Sequence, residues 1–229
     1  MKRFVIGDIH GAHRALVQCL QRAGFDYQTD LLIALGDVCD GWPETRQAVD
    51  ELLAITHLKF ILGNHDYLTL KWMQYGIKEE VWLDQGGRAT LTSYNEKPEE
   101  RHRIFFEQAL PYFILENKIF VHAGFNPLRP LNEQGLEQFL WDRTLARIAI
   151  DFQNKAIEAS LTGFDEVYIG HTPIAGGRPL HACGVWLMDT GAGWSGVLSV
   201  MNIDTKDVFT SDPVPTLYPG VEARKPFSR

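Results

Sequence analysis

The sequence predicts an α/β fold in which two mixed β-sheets pack face to face with helices outside, and three observations predict it. Short apolar runs recur along the chain, each ending at a small residue and a polar one. Segments with helical spacing separate the early runs. The second half adds further strand-like runs parted by a glycine-rich turn.

Phe4-Val5-Ile6 leads into Gly7-Asp8 and forms the first strand. Ala12 to Ala23 follows, with Ala15, Leu16, Cys19 and Leu20 on one helical face. Leu31 to Leu35 is the second strand and leads into Gly36-Asp37. Pro43 to Ile55 has a proline near its start, then Val49, Leu52 and Leu53 at helix-like spacing. Phe60-Ile61-Leu62 is the third strand and leads into Gly63-Asn64-His65. After a helix expected over Glu99 to Ala109, Ile119-Phe120-Val121 leads into His122-Ala123-Gly124, and Val167-Tyr168-Ile169 into Gly170-His171. Continuous runs of this kind suit strands buried on both faces. Their alternation with helices implies parallel strands joined by crossovers, which bind ligands beyond the carboxyl ends of the strands. Val185 to Met188 and Val197 to Met201, separated by the turn Gly191 to Gly196, complete a second sheet packed on the first. The tail from Asp212, with Pro213, Pro215, Pro219 and Pro226, is expected to be extended and peripheral to one domain spanning residues 1–229.

The 229 residues are 45% hydrophobic, enough for a sizeable core, and the net charge of −7 argues against nonspecific nucleic-acid binding. Cys19, Cys39 and Cys183 form no Cys-x-x-Cys pair, so free buried thiols are expected rather than disulfides or a thiolate zinc site. No run is long enough for a signal-peptide core or a membrane span, so a soluble, cytoplasmic protein with no membrane partner is expected.

The polar residues at the strand ends are Asp8, His10, Asp37, Asn64, His122 and His171. Two carboxylates, three imidazoles and an amide, with no thiolate, suit Mn²⁺, Fe or Zn²⁺. Six ligands are too many for one ion that must also admit water and substrate. Shared between two divalent ions bridged by one carboxylate, they leave open positions on both. Such a pair acidifies a water and clamps a phosphoryl group. A lone Gly-Asp is usually a turn and a lone buried histidine usually a core residue, but here ligand-type residues recur at five strand ends.

Gly7-Asp8-Ile9-His10-Gly11, Gly36-Asp37-Val38-Cys39-Asp40-Gly41, Gly63-Asn64-His65-Asp66, His122-Ala123-Gly124 and Gly170-His171-Thr172 resemble, in order, the signature blocks of calcineurin-like metallophosphoesterases. Trp82-Leu83-Asp84-Gln85-Gly86-Gly87, Thr90-Leu91 and Asp189-Thr190-Gly191-Ala192 further resemble the small bacterial and phage serine/threonine protein phosphatases of that superfamily. The resemblance implies a four-layer α/β/β/α metallophosphoesterase fold. It implies that Asp8 and His10 hold one ion, that Asp37 bridges, and that Asn64, His122 and His171 complete the other, with Mn²⁺ as the first expectation. It further implies His65 as general acid, Asp40 as the carboxylate that orients it, and Arg143 as a phosphate-binding residue. Phosphate monoesters would be hydrolysed by direct attack of a metal-bridging hydroxide.

One departure concerns the substrate. Gly41 stands where protein phosphatases of this group carry a phosphate-binding arginine. Losing one fork of a two-arginine clamp weakens monoester binding and opens room for a bulkier or diester substrate. Arg46 could reach back to compensate, although a solvated first-turn position is the plainer reading. Phosphoprotein is the leading substrate. Dinucleoside polyphosphates, polynucleotide ends and phosphodiesters are the alternatives, and a non-enzymatic scaffold is the reading from another class. His13, His57, His102 and His181 read as ordinary surface or core histidines. Tyr67, Trp72, Tyr75 and Trp82 read as core packing before groove lining, and Trp194 as a residue able to contact substrate.

Overall fold

A computed structural model describes residues 1–222 and contains two five-stranded mixed sheets. The first has the order β10-β9-β1-β2-β3. Its strands are β1 (Arg3–Ile6), β2 (Leu31–Ala34), β3 (His57–Phe60), β9 (Ser199–Asn202) and β10 (Val208–Thr210). The second has the order β4-β5-β6-β8-β7, from β4 (Tyr112–Leu115), β5 (Lys118–Val121), β6 (Glu166–Ile169), β7 (Leu180–Ala182) and β8 (Val185–Leu187). β1, β2 and β3 run parallel, as do β5, β6 and β8, while the remaining strands add antiparallel edges.

The apolar runs are continuous because each central strand serves two cores. Val5, Ile33, Phe120, Tyr168 and Met201 point into the layer between the sheets, where Phe120 and Tyr168 stack at 4.6 Å. Their neighbours Phe4, Ile6, Leu32 and Ala34 face helices on one outer side, and Ile119, Val121, Val167 and Ile169 face helices on the other. Successive strand side chains point to opposite faces, so a strand covered on both sides must be apolar at every position. Full burial of each large apolar side chain contributes about 1.5–3 kcal/mol before the opposing conformational entropy.

Helices α1 (His13–Arg22), α2 (Thr45–Leu53), α3 (Asn64–Tyr75) and α6 (Glu100–Glu107) belong to the first half. Between α3 and α6 the chain makes the short turn α4 (Glu80–Trp82), a kinked turn over Leu83–Gly87, and α5 (Arg88–Ser93). Helices α7 (Leu136–Trp141) and α8 (Thr144–Asn154) contribute to the second outer core. None of the helices among the described residues is long and apolar enough to cross a membrane.

Two local expectations are corrected. The third strand ends at Phe60 rather than Leu62. It lies at the sheet edge, where His57 and Lys59 are exposed and weaken the apolar signal; Ile61 still donates to the Ala34 carbonyl, but Leu62 donates to the Leu110 carbonyl instead. The segment from Asp212 is not peripheral. It carries α9 (Val214–Leu217), buries Val214, and stacks Tyr218 on Trp42 at 5.1 Å. Pro226 lies outside the described residues. Among the cysteines, Cys19 and Cys39 are buried and free, whereas Cys183 is half-buried.

Candidate metal centre

Parallel strands from both sheets deliver polar residues to one end of the sandwich. Asp8 and His10 follow β1, Asp37 follows β2, Asn64 and His65 open α3, His122 follows β5, and His171 follows β6. The halves are joined directly: Asp8 accepts the His171 backbone N–H at 3.1 and 3.0 Å on its two oxygens. The glycines before the ligand-type residues permit this approach. A Cβ on Gly63 would lie 2.1 Å from Asp37 Oδ1, and one on Gly170 would lie 2.1 Å from Asp8 Oδ1. His10, Asp37, Asp40 and His171 all adopt left-handed backbone, with φ of 51°, 51°, 68° and 57°. Such conformations cost about 1–3 kcal/mol each, so the surrounding packing must hold them.

The ring nitrogens are sorted by their partners. His10 Nδ1 lies 3.0 Å from the Cys39 and Asp40 carbonyls, and His122 Nδ1 lies 2.8 Å from the Leu35 carbonyl. A carbonyl only accepts, so each Nδ1 carries hydrogen and each Nε2 is the nitrogen left to face the cluster. Both Nε2 atoms face one carboxylate: Asp37 Oδ2 is 3.8 Å from His10 Nε2 and 3.5 Å from His122 Nε2. His122 Nε2 also faces Asn64 Oδ1 at 3.0 Å. Burial pushes His122 down to about 4, so at neutral pH the ring is uncharged and two acceptors confront each other. A cation between them relieves the repulsion. Burial, with Asp189 and Asp37 nearby, holds Asp8 well above the usual carboxylate range, a second sign of a site suited to positive charge. Two groups have donor atoms close enough to share an ion, His10–Asp37–His65 and Asp37–His122–His171, with Asp37 common to both.

His65 differs from the other imidazoles. Its Nδ1 meets Asp40 Oδ2 at 2.7 Å, a buried carboxylate instead of a carbonyl. Asp40 is held in turn by the Trp82 indole N–H at 2.7 Å on Oδ2 and the Thr90 hydroxyl at 2.6 Å on Oδ1. Trp82 therefore does more than pack, although it is buried as expected. Asp66 has no role in the sequence reading, yet it accepts backbone N–H groups from Asp37, Val38, Cys39 and Gly63 at 2.7–3.2 Å. It ties the loop after β2 to the start of α3. Asp66, Trp82 and Thr90 all sit inside the motif blocks, which was the available signal.

Arg143 lines the same cleft, half-buried, with its guanidinium donating to Thr172 Oγ1 at 3.3 Å. Gln85, Trp141, Asp189 and Trp194 line it too. Arg46 does not; it pairs with Glu99 on the surface. His13, His57, His102 and His181 are also absent from the cleft. Trp72 is buried, Tyr67 is half-buried against Trp141, and Tyr75 is exposed rather than packed.

Residues 1–181 match the family model described as calcineurin-like phosphoesterase. The chain is 29% identical over 209 residues to "Serine/threonine-protein phosphatase 1" of Salmonella typhimurium strain LT2, covering 87% of this chain and 91% of the relative. It is 23% identical to "Bis(5'-nucleosyl)-tetraphosphatase, symmetrical" of Pseudomonas fluorescens strain SBW25, covering 96% and 98%. A crystal structure titled as a putative diadenosine tetraphosphatase superposes with a TM-score of 0.66 over 93% of both chains at 18% identity, a likeness of fold.

Proposed function

The chain belongs to the calcineurin-like phosphoesterase family, a family of hydrolases, and from that premise we propose that it hydrolyses phosphate monoesters at a binuclear metal centre. The observation that carries the proposal is the Asp40–His65 pair set beside two potential ligand groups that share Asp37. Asp8, His10 and Asp37 would hold one divalent ion, and Asp37, Asn64, His122 and His171 the other. The nitrogen and oxygen donor set suits Mn²⁺ first, then Fe or Zn²⁺. When bound, two such ions supply a water acidic enough to attack phosphorus and positive charge for the phosphoryl oxygens.

The chain's own groups supply the rest. His65 also falls within ligand distance of His10 and Asp37, but its carboxylate partner favours the protonated ring. With Nδ1–H directed at Asp40, the Nε2 proton is available to the departing oxygen, which leaves as an alcohol. General acid assistance of this kind contributes about 10²–10⁴-fold. Arg143 would hold the phosphoryl group, two N–H donors of one guanidinium matching two oxygens.

The first substrate reading is phosphoserine or phosphothreonine in protein, supported by the Salmonella relative. The second is a dinucleoside polyphosphate, supported by the Pseudomonas relative and by Gly41, which offers no arginine for a two-armed phosphate clamp. The test is hydrolysis of p-nitrophenyl phosphate by metal-stripped protein with and without Mn²⁺, beside His65→Asn. Metal-dependent turnover that drops at least a hundred-fold in the variant supports the proposal; folded protein inert with Mn²⁺, Fe and Zn²⁺ overturns it.

A further inference from the structure

The cleft has an uneven chemistry. Among the described residues that line it, Arg143 is the single arginine or lysine, whereas two tryptophans, Trp141 and Trp194, border the space around His65 and Asp37. The place of the missing arginine is taken by a glycine in a backbone contact. Gly41 has φ of 120° and donates its N–H to the Gly86 carbonyl at 3.3 Å, and Gly86 itself has φ of 111°. A side chain at position 41 would be strained there, and the turn that carries Gly86 presents Gln85 to the cleft instead.

Both indoles are anchored. Trp141 ends α7, is 39% exposed, and meets the Tyr67 ring edge-on at 5.8 Å and 90°. Trp194 sits in the turn between β8 and β9, where its backbone N–H donates to the Gly191 carbonyl at 3.0 Å. The preceding Gly193 packs so tightly that a Cβ would lie 2.5 Å from the His10 ring, which fixes Trp194 beside that imidazole at 6.2 Å. Fixed indole faces bordering a cleft are suited to stack a flat π-system, with little ordering needed on binding.

We infer that Trp141 and Trp194, with Gln85 beside them, form a leaving-group subsite that takes a planar aromatic ring near the transferred phosphoryl group. The inference rests on the phosphoesterase reading and narrows its substrate. A seryl or threonyl phosphate places no ring there. A phenol esterified to phosphate, or a nucleobase one sugar away from it, does. Gln85 offers both a donor and an acceptor to a polar ring edge.

Benzyl phosphate and cyclohexylmethyl phosphate test it, because both release primary alcohols of similar size and reactivity and differ in planarity. The metal-loaded protein should prefer the benzyl ester on the order of ten-fold in kcat/KM. Trp141→Leu and Trp194→Leu should each bring that ratio toward one, while Trp194→Phe should retain most of it. Quenching of tryptophan fluorescence by benzylphosphonate over cyclohexylmethylphosphonate makes the same comparison on the unsubstituted protein, should a variant fail to fold. A wild-type ratio near one, or a ratio unmoved in both leucine variants, overturns the subsite and leaves the phosphoesterase reading standing. Failure to cleave either ester with any of the three metals overturns both. With the preference in hand, a phosphotyrosine peptide and adenosine 5′-monophosphate distinguish phenol from nucleobase.

Discussion

His10 and His65 lie with their rings 5.0 Å apart, yet one leans on backbone carbonyls and the other on a carboxylate. The difference gives separable outcomes. His65→Asn should lower kcat by about 10²–10⁴-fold while metal content, read by elemental analysis, stays near two ions per chain. Loss of metal together with activity would make His65 a ligand. Asp66→Ala should leave four buried N–H groups without their acceptor and cost about 3 kcal/mol or more, read by urea unfolding of metal-loaded protein. The residues of the proposed ligand set were legible in the sequence because their types and positions after apolar runs suffice. Asp66 and Thr90 were not, since their roles lie in contacts 27 to 50 residues away along the chain.

Elements set how those side chains are aimed. The turns from Glu80 to Ser93 carry both groups that hold Asp40, so Trp82 and Thr90 act on His65 through that carboxylate. Trp82→Phe keeps the bulk but removes the N–H, and kcat should fall several-fold with the alkaline limb of its pH profile, where the general acid loses its proton, displaced. A uniform loss of stability with an unchanged profile would mark Trp82 as packing alone. Strand β6 offers a pH test away from the cleft. Burial opposes ionisation of Glu166, but hydrogen bonds from Lys206, Tyr168 and Trp186 win and hold it below its ordinary 4.5. Its stabilisation is therefore present above about pH 4.5 and is lost as pH falls through the lower folded value. Glu166→Gln should cost roughly 1 kcal/mol at pH 7, discounted for partial exposure, and progressively less in acid. The buried central strands were plain from sequence because both faces are apolar. Strands β4, β7 and β10 were not: each is an outermost strand of its sheet with half-exposed positions, and their patterns are short and mixed.

At the scale of the molecule, the sandwich joins two sheets whose strand ends share one cluster of buried carboxylates and imidazoles. Chelated protein should unfold at a lower temperature than Mn²⁺-loaded protein, with the gap widening with free metal; about 2.7 kcal/mol is expected at a hundred times the dissociation constant. A midpoint indifferent to metal would count against a site that spans both sheets. The packing of two sheets was legible from the recurring strand runs. The tucked segment at Val214 and Tyr218 was not, because its prolines outweigh two buried side chains in any local pattern.

The hydrogen bonds between the His171 backbone and Asp8 close a loop of 163 residues. On a ribosome adding roughly 5–20 residues each second, the first carboxylate waits about ten to thirty seconds for its counterpart. If β1, β2 and β3 pair within that interval, they display Asp8, His10, Asp37 and Asn64 without the two histidines that follow β5 and β6. Such an open half-site discriminates poorly among cations. Metal identity in the finished protein is then expected to depend on what the cell offers when translation ends, and protein made in Zn²⁺-rich or Mn²⁺-rich medium should carry correspondingly different metal.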